Sequence, residues 1–140
     1  MSTYRGWLPK ASAETAPFWQ GCSLGRLMLP RCEKCTAWIW YPRPFCPECE
    51  SWAINWQQAS GKATLYSFTV VHAPSKGWED RAPYIVAMAD LEEGPRLTAT
   101  LDLGRPVPDP DQIVLGIPLK VEFERVTDEI AFPVFRSAQL

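Results

Sequence analysis

The 140-residue sequence predicts a mostly β protein in which a short helix and a cysteine-rich module precede a five-stranded barrel. Three observations favour this fold class. The 14 prolines are about twice the usual share and disfavour long helices. Two C-x-x-C pairs lie ten residues apart in the N-terminal part. After Gly61, five segments alternate apolar and polar residues at the period of a half-buried strand.

The predicted helix begins near Thr15, which can act as its N-cap, and Pro17 suits an early helical position. Phe18, Trp19 and Cys22 then fall on one face. So short a helix is not stable alone, so this aromatic face must contact either the cysteine-rich module or a partner protein. Residues 1–13 lack periodicity and are interpreted as a flexible arm.

Four cysteines, Cys32, Cys35, Cys46 and Cys49, have the spacing of a tetrahedral metal site. Each C-x-x-C pair places two thiolates on one tight turn, and two facing turns supply four ligands. The predicted cofactor is a structural Zn²⁺, with iron as the alternative that rubredoxin-like knuckles allow. Four thiolates close the coordination sphere, so such a site folds the module and leaves no position for substrate.

The segments around the cysteines complete a rubredoxin-like zinc ribbon. Residues 38–41 (WIWY) have strand character, and the proline-rich turn after them leads into the second cysteine pair. Residues 51–58 contain Trp52, Ile54 and Trp56 at period 2, which suits a return strand. The chain changes character at Ser60-Gly61. We therefore divide it into a helix and zinc ribbon (1–58) and an OB-fold domain (59–140).

The five strands of the second part are predicted at 63–72, 84–91, 97–103, 119–124 and 130–135. A longer insertion at 105–118 separates the third strand from the fourth, which suits an OB-fold, a small Greek-key barrel. Residues 113–116 (IVLG) are long enough for one helical turn that plugs the barrel end. A six-stranded SH3-like barrel is the alternative.

Composition and charge exclude several classes of function. Apolar residues form 46% of the chain and the net charge is −2, so neither disorder nor a basic nucleic-acid surface is indicated. No apolar run approaches the ~20 residues of a membrane span, and the first ten residues, MSTYRGWLPK, lack the apolar region and cleavage pattern expected of a secretory signal. We expect no membrane, no nucleic-acid partner and a cytoplasmic location. Cys22, outside the metal motif, is interpreted as a small buried apolar residue.

No catalytic constellation is visible in the sequence, and no residue is assigned a catalytic role. His72 is the only histidine and reads as a polar residue at a strand end. Glu92 and Glu93 read as a solvated turn. The loop 73–83 carries Lys76, Trp78 and Arg81 and joins the first two barrel strands. In OB-folds that loop belongs to the usual ligand-binding edge, although a solvated loop with Trp78 folded onto the barrel is an equal alternative.

Together these features resemble a family of zinc-ribbon/OB-fold proteins long classed as a domain of unknown function. The resemblance covers nearly the whole chain and depends on the order and placement of several motifs rather than on cysteine spacing alone. The motifs are the helix with Phe18-Trp19, the knuckles CEKC and CPEC, the junction Ala59-Ser60-Gly61-Lys62 and the strand LYSFTVVH. Cys22 is outside the shared pattern, and the 73–83 loop is of a kind that varies within the family.

The resemblance implies a non-catalytic accessory subunit of a thiolase-like acyl-CoA enzyme, whether thiolase, aldolase or acyltransferase. The larger partner would carry the catalytic residues, and the small subunit would dock it and help to form the acyl-CoA site. We expect the docking surface at Phe18, Trp19, Trp38 and Trp40. Lys76, Trp78 and Arg81 would lie near the acyl-CoA. Two alternatives remain at this stage: a module that binds single-stranded nucleic acid, and a free-standing acyl-CoA carrier or transferase.

Overall fold

The computed structural model describes residues 4–138, which form one helix, two short 3₁₀ turns and seven strands. The helix α1 spans Ala16–Ser23. A two-stranded sheet pairs β1 with β2 in antiparallel orientation, and the remaining five strands close a barrel in the order β3-β4-β5-β7-β6. The strand bounds are β1 Met28–Cys32, β2 Ile54–Gln58, β3 Lys62–Val71, β4 Tyr84–Leu91, β5 Arg96–Asp102, β6 Pro118–Arg125 and β7 Ala131–Ser137.

The barrel has the strand order of an OB-fold, which confirms the predicted fold class and excludes the six-stranded alternative. All pairs are antiparallel except β5 with β7, and β6 returns to β3 to close the ring. A bulge between Leu65 and Ser67 adds one residue to β3. Ala63 and Leu65 face the core before the bulge, whereas Phe68 and Val70 face it afterwards. The bulge therefore bends the strand while keeping its apolar side inward.

The core of the barrel continues into the N-terminal part. Phe135, Leu65 and Ile85 are almost completely buried in the barrel. Phe18 and Cys22 of α1 belong to the same buried cluster. Helix α1 is therefore held by the barrel as well as by the ribbon, which explains how so short a helix is stable.

Several local predictions differ from the structure. Residues 113–116 do not form a helical turn that plugs the barrel. A 3₁₀ turn lies earlier, at Pro110–Gln112, and only Ile113 enters the core while Val114 and Leu115 are exposed. Residues 38–41 form a single bridge, Arg31 to Trp38, rather than a strand, because Pro42 and Pro44 follow immediately.

The strand that pairs with the return strand is β1, which ends at the first predicted ligand, Cys32, and was not predicted because Pro30 lies in its centre. The return strand itself begins at Ile54, so Trp52 lies outside it. The part of the arm within residues 4–13 is also not free. Tyr4 contacts Phe132 with ring centroids 5.5 Å apart. Residues 1–3 of the predicted arm lie outside the described residues.

Candidate metal centre and the surfaces around it

The four predicted ligands meet at the end of the β1–β2 hairpin. The Sγ atoms of Cys32 and Cys49 lie 3.6 Å apart, as do those of Cys35 and Cys46. All four Sγ atoms lie within 4.8 Å of one another. In a tetrahedron with Zn–S bonds of about 2.3 Å, neighbouring sulfurs are about 3.8 Å apart. The donor set therefore fits a tetrahedral thiolate-bound metal, and the separations exceed the ~2.05 Å of a disulfide.

The two knuckles have the same backbone geometry. In the first, the N–H of Thr36 donates to the carbonyl of Cys32 at 3.0 Å, and Thr36 has a φ of 65°. In the second, the N–H of Glu50 donates to the carbonyl of Cys46 at 2.8 Å, and Glu50 has a φ of 66°. Both left-handed residues directly follow a cysteine ligand. This repeated turn directs each pair of sulfurs toward the other pair.

The pKa values of two ligands shift in opposite directions. The pKa of Cys32 is lowered to about 6, chiefly because the backbone N–H of Cys35 donates to its sulfur at 3.4 Å. Burial and the neighbouring thiols raise the pKa of Cys35 to about 12. The knuckle has a small core of its own, in which Cys32, Ile39 and Cys46 are buried. Because so few side chains are buried there, packing stabilises the knuckle only weakly. A bound metal would therefore contribute much of the folding free energy of the knuckle. Zn²⁺ or iron would be held by the four cysteines and would serve structure rather than catalysis.

The predicted docking residues are mostly covered. Phe18 is 4% exposed. The rings of Trp19 and Trp40 are half-buried against it, each with its centroid 4.9 Å from that of Phe18. Trp38 packs against the same core cluster, and the guanidinium of Arg31 lies over its ring at 4.6 Å from the centroid. The rings of Phe18, Trp19 and Trp40 thus contact one another around Phe18, and Trp38 has its own contact with Arg31.

Sequence reasoning missed the rings that are most exposed on the ribbon. Tyr41, Phe45 and Trp52 are 58%, 38% and 73% exposed, and we call them the ribbon-tip rings. Phe45 and Trp52 contact each other, with centroids 5.7 Å apart. One signal could have found the first two: Tyr41 and Phe45 flank the Pro-Arg-Pro turn, which cannot pair as a strand. Trp52 was instead misassigned to the return strand.

The 73–83 loop is fixed against the barrel and the N-terminal segment. Trp78 donates its indole N–H to the hydroxyl of Tyr4 at 3.0 Å. Arg81 lies over the Trp78 ring at 4.4 Å and donates two hydrogen bonds to the Glu124 carboxylate, at 3.0 and 2.7 Å. Of the three predicted residues, Lys76 alone is an exposed cation, and the charge of Arg81 is already paired.

A charged cavity of about 490 Å³ lies beside this loop. Arg105 lines it and donates to the carbonyl oxygens of Pro83 and Arg81. The cavity also contains the ion pairs of Arg81 with Glu124 and of Arg136 with Asp102. Its charged groups are therefore largely paired with one another. Among the three arginines that line the cavity, Arg105 is the one whose contacts within residues 4–138 are to carbonyl oxygens.

Two further predicted residues have clear positions. Cys22 is 1% exposed, and burial raises the pKa of its thiol to about 12, so it is a buried apolar residue as expected. His72 is exposed just after the end of β3. In the part of the chain that the structure covers, no helix is both long enough and apolar enough to pass through a bilayer.

A closed four-cysteine ribbon joined to a five-stranded OB barrel defines the class: a zinc-ribbon/OB-fold protein. Two family models agree, since residues 19–52 match the ChsH2 rubredoxin-like zinc ribbon domain and residues 56–124 match the ChsH2 C-terminal OB-fold domain. The chain belongs to the DUF35 (ChsH2-type) family. A DUF35 domain-containing scaffold protein of Methanothermobacter thermautotrophicus is 34% identical over 101 residues, covering 71% of this chain and 72% of that protein.

Two other relatives give the family its context. The solved structure titled Ltp2-ChsH2(DUF35) aldolase contains a similar chain, at TM-score 0.82 and 31% identity, covering 94% of this chain and 100% of that one. A probable enoyl-CoA hydratase alpha subunit of Thermomonospora curvata is 32% identical over 130 residues, which are 93% of this chain. The match spans only 39% of that hydratase subunit, so the rest of it has no counterpart in this chain.

Proposed function

We propose that this chain is the non-catalytic, zinc-binding subunit of a thiolase-like acyl-CoA complex, in which it docks the catalytic subunit and helps to form the acyl-CoA site. One observation carries the proposal. The most completely formed chemical site within residues 4–138 is a cluster of four thiols, which a bound metal would close to substrate, and exposed aromatic rings lie near its cysteines in the sequence. A site of this kind stabilises a surface, and aromatic rings are enriched at protein interfaces.

The names of the relatives agree with this role. One similar chain belongs to a structure titled as an aldolase with two named components, and others are called scaffold proteins or a hydratase subunit. Each of those names describes a protein that works with other chains. We extend that property to this chain as a proposal, and we leave the choice among thiolase, aldolase and acyltransferase partners open.

We propose that the docking face combines the ribbon-tip rings with the exposed edges of Trp19 and Trp40. Phe18, which is buried, would act by holding those two indoles in place. Trp38 would contribute mainly through its contact with Arg31. A face of this composition would take its binding energy from a few large rings.

The acyl-CoA would lie beside the 73–83 loop. Lys76 is the exposed cation that could meet a phosphate, whereas Arg81 and Trp78 would hold the loop in shape. Arg105, in the neighbouring cavity, is a further cation in reach of the same region. This arrangement assigns Arg81 to positioning rather than to direct contact with the ligand.

The test uses the tagged chain to capture its partner from the native host. The double substitution Phe45→Ala/Trp52→Ala should weaken association at least tenfold, about 1.4 kcal/mol. Trp7→Ala is the matched control, because Trp7 is 81% exposed but lies outside the ribbon. Metal content should be equal in all three proteins. Unchanged association of the double variant would contradict the assigned docking face.

A further inference from the structure

An apolar groove opens in the wall of the barrel between β5 and β7. It has a volume of about 270 Å³ and lies where α1, the segment between the two knuckles and the 73–83 loop approach these strands. None of its lining side chains is charged. They are Phe18, Trp19, Trp40, Trp78, Leu97, Thr98, Ala99, Thr100, Phe132 and Pro133, and we call this site the aromatic groove.

One edge of β5 is unpaired along this groove. β5 pairs with β4 from Arg96 to Leu101, but it pairs with β7 only from Thr100 to Asp102. Within residues 4–138 no other strand pairs with its β7-facing edge over 96–99. Four consecutive residues, 97–100, line the groove. Side chains of neighbouring residues in a strand point to opposite faces, so side chains from one face alone cannot account for this lining. The groove therefore runs along the backbone of the strand, so peptide groups of β5 border it.

Pro133 explains why the barrel is open at this point. It lies in β7 opposite Phe123 of β6 and has no N–H to donate toward β5. The β5–β7 ladder starts at the next residue, Val134, which pairs with Thr100. The sequence thus places a residue without an N–H donor where the two strands separate.

We infer that an extended segment of the catalytic subunit adds to the free edge of β5 and inserts an apolar side chain into the aromatic groove. This inference rests on the proposed function. In strand addition, backbone hydrogen bonds supply affinity, and side-chain pockets supply specificity. An alkyl chain alone would cover the free N–H and C=O groups of β5 without bonding them, which is costly, whereas an extended peptide satisfies them. The uncharged lining requires that the inserted side chain be neutral and apolar.

Hydrogen exchange tests the contact directly. The chain is measured alone and in the complex captured from the native host, with peptides covering 96–100 and 113–116. Backbone amides of the β5 edge should exchange at least tenfold more slowly in the complex. Residues 113–116, whose Val114 and Leu115 are exposed on the loop before β6, should be unaffected and serve as the internal control.

A substitution gives an independent readout. Thr98 is exposed in the free chain, so Thr98→Asp should fold but place a charge on the edge of β5, and partner association should fall at least tenfold. Thr69→Asp, at an exposed position of β3 that pairs with Val86, is the control and should bind normally.

The outcomes separate the two claims. If wild-type chain captures no catalytic subunit, the proposed function and this inference both fail. If the complex forms but exchange at 96–100 is unchanged, or Thr98→Asp binds as wild type, only this inference is overturned. If Thr98→Asp leaves the complex intact and instead weakens binding of a CoA ester, the groove is a small-molecule site and strand addition is excluded.

Discussion

The backbone N–H of Ser60 donates to the Glu93 carboxylate at 2.8 Å, across the junction of ribbon and barrel. The Ser60 hydroxyl also donates to Glu92 at 2.9 Å, and the Glu92 N–H donates to the Lys62 carbonyl at 2.9 Å. The turn after β4 therefore holds the peptide that connects the two halves of the chain. Glu92 and Glu93, which were interpreted from the sequence as a solvated turn, instead hold the junction between ribbon and barrel through these hydrogen bonds.

Glu93→Ala should destabilise the protein by about 1 kcal/mol, because it removes the acceptor of the Ser60 N–H. Chemical denaturation of the metal-loaded protein measures the change. Glu129→Ala, at an exposed acidic residue in the turn before β7, should change the unfolding free energy by less than about 0.5 kcal/mol. Equal effects of the two substitutions would show that the junction contact contributes nothing.

Removal of the metal should unfold the knuckle and leave the barrel folded. The reason is that the buried cluster of the knuckle is small, whereas the barrel has a large core of its own. Chelation should change tryptophan fluorescence and near-UV dichroism, and Cys46→Ser should lower bound zinc from about one equivalent to near zero. Spectra that are the same before and after chelation would contradict a folding role for the metal.

Ionisation of Cys22 should lower the free energy of unfolding at alkaline pH. Its thiol has a pKa of about 12 in the folded protein, above its ordinary value of 9.0, because burial disfavours the thiolate. Because the pKa of Cys22 is higher in the folded than in the unfolded protein, the protonated thiol contributes fully to the free energy of unfolding below about pH 9. This contribution is lost as the pH rises toward 12. The loss should approach 1.4 kcal/mol per pH unit in that window.

Denaturation of wild type and Cys22→Ala from pH 8 to 11 isolates this contribution, because all other groups are common to both proteins. The difference in unfolding free energy between the two proteins should shrink as the pH rises above 9. A difference that stays constant would show that the thiol does not remain protonated in the folded state. Iodoacetamide should also leave Cys22 of the native protein unmodified at pH 8.

The Arg81–Glu124 pair should stabilise the 73–83 loop. Glu124→Gln is expected to cost about 1 kcal/mol, since the pair is bidentate but its side chains remain 29% and 39% exposed. The loss should be smaller at 1 M salt, where surface charges are screened. Lys120→Gln is the control, because its single contact with Glu122 is more exposed and should contribute little. A cost that does not change with salt would exclude a charge contribution.

The sequence predicted the parts of the fold that depend on strong local patterns. The bounds of β4 follow from apolar periodicity and are confirmed. The four cysteines predicted from motif spacing lie together in a position that suits metal binding. Pro30 concealed β1, because a proline in the centre of a strand argues against pairing. The exposure of Trp52 and the burial of Phe18 depend on how the ribbon meets the barrel. The packing of the ribbon on the barrel involves residues far apart in sequence, and the local spacing of apolar residues carries no information about it.

The same limit applies to the candidate ligand loop. Lys76, Trp78 and Arg81 share one loop, but long-range contacts with Tyr4 and Glu124 decide which of them is free to meet a ligand. Neither contact leaves a local signal in the sequence. The acyl-CoA contacts of this loop and the 58/59 domain division remain predictions.

The central claim is that this chain works as a subunit of a larger enzyme. The most direct test is the mass, by light scattering, of the species that co-elutes with the chain when it is purified untagged from its native host. The account predicts a hetero-oligomer that contains a larger thiolase-like subunit in stoichiometric amount. Elution of the metal-loaded chain by itself, with no thiolase-like protein above trace, would contradict it.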